Sequence, residues 1–256
     1  MTDDGTAPGY LRSHPLTADR IADAQNRAQN APYRQYADSL DFHLVRAKLR
    51  AETGEPREAV TYFNSILADR RFANETAARY GLASALLRNR QTADAKAEVT
   101  KLRSGNVKSP MIDTLAARVL RAAGENAAAL VLIKDAIGRN PYYRPLVYSY
   151  IGALLESNRT AEALESVNDQ LRLTPRNAQL RGLQAKAYAA LGKRLLQHQA
   201  QAEVYLLQGS LPAAIEQLQL AQSAGDGNFY ELSVVDARLK DLRARLAAEA
   251  RQRPAR

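Results

Sequence analysis

From about residue 40 onward, apolar residues return every third or fourth position in segments of roughly 12 to 16 residues, with polar residues filling the opposite face. That period belongs to amphipathic helices. Short Gly, Asn or Pro signals separate the segments, and no stretch alternates apolar and polar residues as a half-buried strand requires. The pattern predicts an all-α chain. Ahead of it, Thr17 can cap a helix running to about Asn30, with Asp19 and Asp23 complementing its dipole and Pro32 ending it.

The breaks keep a fixed distance. Gly124 and Asn158 lie 34 residues apart, as do Asn158 and Gly192, Pro141 and Pro175, and the small residues Ala129 and Ala163. A helix-turn-helix unit of that length, with small residues inside its helices and Pro at its end, is the signature of the tetratricopeptide repeat (TPR). Stacked units of this kind give a right-handed α-solenoid. Each residue type has a physical reason. Gly or Asn at the end of a first helix can turn left-handed and satisfy orphan carbonyls, Ala lets two helices approach, and Pro closes the second helix by removing a donor.

The units run Asp41 to Arg71, with a break at Gly54 and small residue Ala59; a less regular one around Tyr80 to Leu87 with Ala95; Pro110 to Pro141; Arg144 to Pro175; and a first helix from about Ala178 to Leu191. Gly192 to Gly209 is 17 residues, half a period. The helix Leu195 to Gln208 is therefore expected to act as second helix of one unit and first helix of the next. The stretch Leu211 to Leu220 completes the last unit, with Pro212 near its start, and Leu232, Val235, Leu239, Leu242 and Leu246 describe one amphipathic helix that caps the open end. The domain reading is an N-terminal segment and connecting helix over residues 1–35, about five to six TPR units over 36–224, and a capping helix with its tail over 225–256.

Composition narrows the function classes. Across 256 residues, 46% are apolar and 25% charged, a globular balance, and no apolar run reaches the eighteen or so residues of a membrane-spanning helix. The absence of cysteine excludes disulfides, thiolate zinc sites and cysteine nucleophiles. A formal charge of +9 keeps nucleic acid, anionic lipid and acidic peptides open as partners. The first residues lack the basic flank and apolar stretch of a signal peptide, which reads as a cytosolic protein or a fragment.

Catalytic groups are sparse. The histidines are His14, His43 and His198, none in an H-E-x-x-H pair, and neither a P-loop nor a G-x-G-x-x-G loop occurs. His43 and His198 fall in helices and read as surface or packing residues. The chain by itself is expected to be no enzyme and to hold no cofactor. Function is expected on the concave wall that first helices build, where solenoids bind peptide segments. Counting from each break places Lys48, Ser84, Arg118 and Lys186 at equivalent inward positions, one turn from Leu87, Arg121 and Ala189. A basic stripe of this kind suits an acidic or carboxylate-terminated peptide. Tyr80 and Tyr148, inward by the same register, offer flat amphipathic contacts. The competing reading is that these cations only solvate helix faces. Tyr142 and Tyr143 are expected to pack between repeats.

RNA recognition would need stacking aromatics recurring with the period beside Arg or Lys, and only scattered tyrosines occur, so no nucleic-acid partner is expected. No helix joins an aromatic-rich face to a lysine-rich one, so membrane contact is expected to be peripheral at most.

The run Tyr10-Leu-Arg-Ser-His-Pro-Leu-Thr-Ala-Asp-Arg-Ile21, together with Ala202-Glu-Val-Tyr-Leu-Leu-Gln-Gly-Ser-Leu-Pro-Ala-Ala-Ile-Glu-Gln-Leu218, Phe229-Tyr230 and Asp236-Ala-Arg-Leu-Lys-Asp-Leu242, resembles the BepA-type bacterial envelope zinc metalloproteases, whose peptidase domain carries a C-terminal TPR domain. The H-E-x-x-H helix and downstream Glu of that family are absent from these residues, so the chain looks like the non-catalytic C-terminal half. The resemblance implies a periplasmic parent, associated with the outer membrane and acting in envelope protein quality control with zinc as its cofactor. It implies polypeptide substrates, outer-membrane assembly proteins and the parent's own protease domain as partners, and puts His14 near the parent's zinc site as ligand or gate, or as a hydrogen-bonded surface residue. The alternative is a free-standing cytoplasmic TPR adaptor with no protease linkage.

Overall fold

The computed structural model describes residues 17–29, 37–105 and 107–252, and His14 lies outside them. The chain divides into two compact units, residues 1–39 and 40–256. In the first, helix α1 (Thr17–Gln29) is steadied by an exposed Arg27–Asp23 ion pair at 2.7 Å, one turn apart.

The second unit is a run of helix pairs, and the described residues contain helices and no strands. First helices are α2 (Leu40–Glu52), α4 (Glu75–Arg88), α6 (Pro110–Ala122), α8 (Arg144–Glu156) and α10 (Ala178–Ala190); second helices are α3 (Pro56–Ala68), α5 (Thr92–Ser104), α7 (Asn126–Arg139), α9 (Thr160–Leu173) and α11 (Arg194–Leu207). Each later first helix packs on its own second helix, on the preceding second helix and on the preceding first helix. Two layers result, with the first helices side by side. This is the all-α TPR solenoid that the 34-residue spacing predicts.

The turn between paired helices shows why the spacing is kept. Gly124, Asn158 and Gly192 have φ of 77°, 58° and 71°, the left-handed region expected of them. The amides three residues past each helix's last residue then reach back: Glu125 N–H donates to Leu120 O, Arg159 to Leu154 and Lys193 to Tyr188, each at 2.9 Å. This is the Schellman arrangement that satisfies a helix's last carbonyls. The less regular second unit uses the same turn, with Gln91 N–H donating to Leu86 O at 2.9 Å, but its left-handed residue is Arg90 at φ 62°. Five residues past each break, Ala59, Ala95, Ala129 and Ala163 are all buried, so the small residues sit where the helices approach. Gly81 allows a closer approach still: a Cβ there would lie 2.2 and 2.3 Å from ring atoms of Phe63 on α3.

At the far end α11 packs on both α10 and α12 (Leu211–Gln222), the dual role read from the half-period. Helix α13 (Phe229–Gln252) lays Val235, Leu239 and Leu242, all buried, against this end, with Leu232 and Leu246 half-buried beside them. Asp226, in the turn before α13, accepts the Leu195 amide at 3.0 Å and the Arg194 amide at 2.5 Å, capping α11 from about thirty residues away. One packing expectation divides: Tyr143 is half-buried against the core, whereas Tyr142 is 96% exposed.

Candidate functional site

The first helices enclose an open groove of about 1000 Å³. Its lining follows the repeat. Thr114 and Tyr148, Pro145 and Gln179, Ser149 and Leu183, Arg121 and Leu155, and Arg118, Gly152 and Lys186 are all groove residues 34 apart, because equivalent positions on stacked first helices face the same way. Lys48 and Leu87 line the same groove from the earlier units.

Of the residues read from sequence, Lys48, Arg118, Arg121, Tyr148 and Lys186 come together in this lining. Tyr80 and Ser84 do not. Tyr80 is 4% exposed, and burial is the largest cause raising its phenol to about 12, with the Tyr143 hydroxyl adding to it. The Ser84 hydroxyl turns inward on its own helix and donates to the Tyr80 carbonyl at 2.9 Å, the usual retreat of a helical serine. Tyr148 is oriented from the next unit: Asn177 Nδ2 donates to its hydroxyl at 2.6 Å while Asn177 Oδ1 caps α10 by accepting the Leu180 amide at 3.0 Å. His43 is half-buried, and His198 Nδ1 lies 2.9 Å from Gln217 Oε1, a packing contact between α11 and α12.

Two lining residues escaped the sequence reading and change the electrostatics. Glu156 on α8 meets Arg121 on α6 in a two-pronged ion pair: Arg121 Nε donates to Oε2 at 2.7 Å, and Nη2 donates to Oε1. The Arg121 hydrogen bond is the main cause holding the Glu156 carboxyl below its usual range, and Lys186 adds to it. Gly152 is the second. A Cβ on it would lie 3.1 Å from Arg121 Nη2 and 3.4 Å from Nη1, so the absent side chain leaves room for the guanidinium to lie against α8. The 34-residue rule applied to Arg118 reaches Gly152, and applied to Ala122 it reaches Glu156. The lining thus holds the cations Lys48, Arg118, Arg121 and Lys186 against the single carboxylate of Glu156.

Among the described residues no three of His, Cys, Asp and Glu converge, so none of them offers a zinc site. No helix among them is long and apolar enough to cross a membrane.

Comparison with known proteins agrees with the repeat. A tetratricopeptide-repeat family profile matches residues 120–187. The beta-barrel assembly-enhancing protease of Escherichia coli (strain K12) is 27% identical over 241 residues, which takes in 92% of this chain and 48% of that protein. The protein of the same name from Yersinia pestis is 24% identical over 237 residues, covering 92% and 49%. The chain spans about half the length of the curated relatives it matches. Among solved structures, YrrB, described as a TPR protein with an unusual peptide-binding site, superposes with a TM-score of 0.47 at 16% identity over 79% of this chain and 98% of that one. MamA from Desulfovibrio magneticus RS-1 does so with a TM-score of 0.41 at 14% identity over 72% and 99%. The chain is an all-α TPR protein-interaction solenoid, similar in sequence to part of the beta-barrel assembly-enhancing proteases.

Proposed function

We propose that this solenoid is the polypeptide-holding part of a zinc-dependent metalloendopeptidase of the bacterial envelope, working in the periplasm on outer-membrane proteins or their assembly partners. The observation that carries the reading is the groove: an open cavity of about 1000 Å³ lined by cations that outnumber its carboxylate. Similarity to half of the beta-barrel assembly-enhancing proteases supports the envelope setting. In this division of labour the chain's own residues bind and orient. Arg118, Lys186 and Lys48 attract acidic segments, Tyr148 supplies a flat contact, and Leu155 and Leu183 supply apolar floor. Bond cleavage and the zinc it needs belong to a peptidase part of the parent, and His14 is assigned to the neighbourhood of that part.

The test is capture from an envelope extract with wild-type chain and with Lys48→Glu, Arg118→Glu, Lys186→Glu combined. The reading expects outer-membrane proteins or their assembly partners to be retained by the wild type and lost by the variant; equal retention would contradict it. The coding sequence upstream of residue 1 separates the protease parent from a free-standing adaptor, because only the parent encodes H-E-x-x-H.

A further inference from the structure

The stripe position of the first helices holds Ser84, Arg118, Gly152 and Lys186 in successive units, so side-chain identity alone leaves a gap between Arg118 and Lys186. The gap is filled from the neighbouring helix. Arg121 places its guanidinium where a residue-152 side chain would stand, with Nη2 and Nη1 3.1 and 3.4 Å from the site of the missing Cβ. Glu156 occupies Nε and one edge of Nη2, which leaves the Nη1 hydrogens free to meet a ligand. Arg118 and Lys186 have no salt-bridged carboxylate among the described residues.

Resting on the groove reading above, we infer that the groove recognises an extended polypeptide with carboxylates at every third residue, one each for Arg118, Arg121 over Gly152, and Lys186. Spacing decides the register. Packed helices lie about 8–10 Å apart, so cations at one position of successive first helices repeat at about that distance. A polyproline II segment rises about 3.1 Å per residue with three residues per turn, which brings side chains i, i+3 and i+6 onto one face about 9 Å apart. A β-strand puts i and i+2 on one face only about 7 Å apart and falls out of step by the third anion. The ladder ends at Ser84, where the stripe carries no cation and the hydroxyl is engaged with its own helix.

The experiment is fluorescence polarisation with C-terminally amidated, proline-rich peptides of one composition, bearing Glu at i, i+3, i+6 or at i, i+2, i+4, and a third peptide with Gln at the middle site of the matched series. The matched peptide is expected to bind about tenfold more tightly than the i, i+2, i+4 peptide. Arg121→Gln should weaken the matched peptide about tenfold and leave the middle-Gln peptide within about twofold, whereas Lys186→Glu should weaken both. Equal affinity for the two spacings, or an Arg121→Gln loss that ignores the middle Glu, would overturn the ladder. A free-acid peptide that binds regardless of spacing would overturn it too and point to a terminal carboxylate. In each of those outcomes binding to the groove persists; failure of every peptide and of unfolded protein to bind there would remove the groove reading itself.

Discussion

Tyr80 ionises late because its phenol is enclosed, and the consequence is measurable. Its neutral form is favoured in the folded chain up to about pH 12 from an ordinary value of 10.0. The stabilisation is therefore complete below pH 10 and is lost as the pH climbs toward 12, where the unfolded chain releases the proton and the folded one has yet to do so. Tyrosinate absorbance should show a late step near pH 12 that Tyr80→Phe removes; a single titration near pH 10 in the folded protein would contradict the burial. Gly81 gives a second residue-scale test. Alanine there gains about 1 kcal/mol of helix propensity but drives its Cβ into the Phe63 ring, and overpacking of this kind costs about 1–3 kcal/mol. Gly81→Ala should lower the urea midpoint, and Phe63→Leu combined with it should recover part of the loss. Why Tyr80 misled the sequence reading is visible at this scale: a helical register gives a side chain's direction, while its burial depends on how the helices stack.

At the scale of the element, the turn conformation explains what was legible. Gly124, Asn158 and Gly192 announce left-handed residues by chemistry, so those breaks could be read from the chain. Arg90 takes the same conformation without chemical preference for it, held by the amide of Gln91 reaching Leu86, and it lies 36 residues after Gly54 where the later breaks are 34 apart, so the second unit looked irregular in both residue type and spacing. Arg90→Gly should therefore stabilise the chain by up to about 1 kcal/mol by relieving the left-handed strain. A lower urea midpoint for that variant would show the turn to be unstrained. The Asp226 cap on α11 is an element-scale feature that no local pattern reveals, because donor and acceptor lie about thirty residues apart. Burial opposes its charge, yet the Leu195 and Arg194 amides prevail and lower its carboxyl below the usual aspartate range. The cap's contribution should be complete above that range and lost as the pH falls below it, through the carboxyl's lowered value. Asp226→Ala should lower Tm by roughly 2–4 °C at neutral pH and make little difference in acid.

On the whole-molecule scale, a fixed period turns one helix face into a continuous wall, and that is how scattered cations become a groove. Lys48, Arg118, Arg121, Tyr148 and Lys186 were legible because each is reached by counting along the repeat. The Arg121 guanidinium over Gly152 was not, since a glycine reads as an empty place until the neighbouring helix is seen to fill it. The central claim is that the wall of first helices holds other polypeptides. Its most direct test is site-specific photo-crosslinking to a permanently unfolded acidic protein, reduced and carboxymethylated α-lactalbumin, with the photoreactive residue placed in turn at Gln179 and Leu183 in the groove and at Val131 and Leu173 on the exposed second helices. The account predicts adducts from Gln179 and Leu183 that excess unlabelled acidic polypeptide competes away, with none from Val131 or Leu173. Adducts from the second helices alone, or equally from all positions, would contradict it.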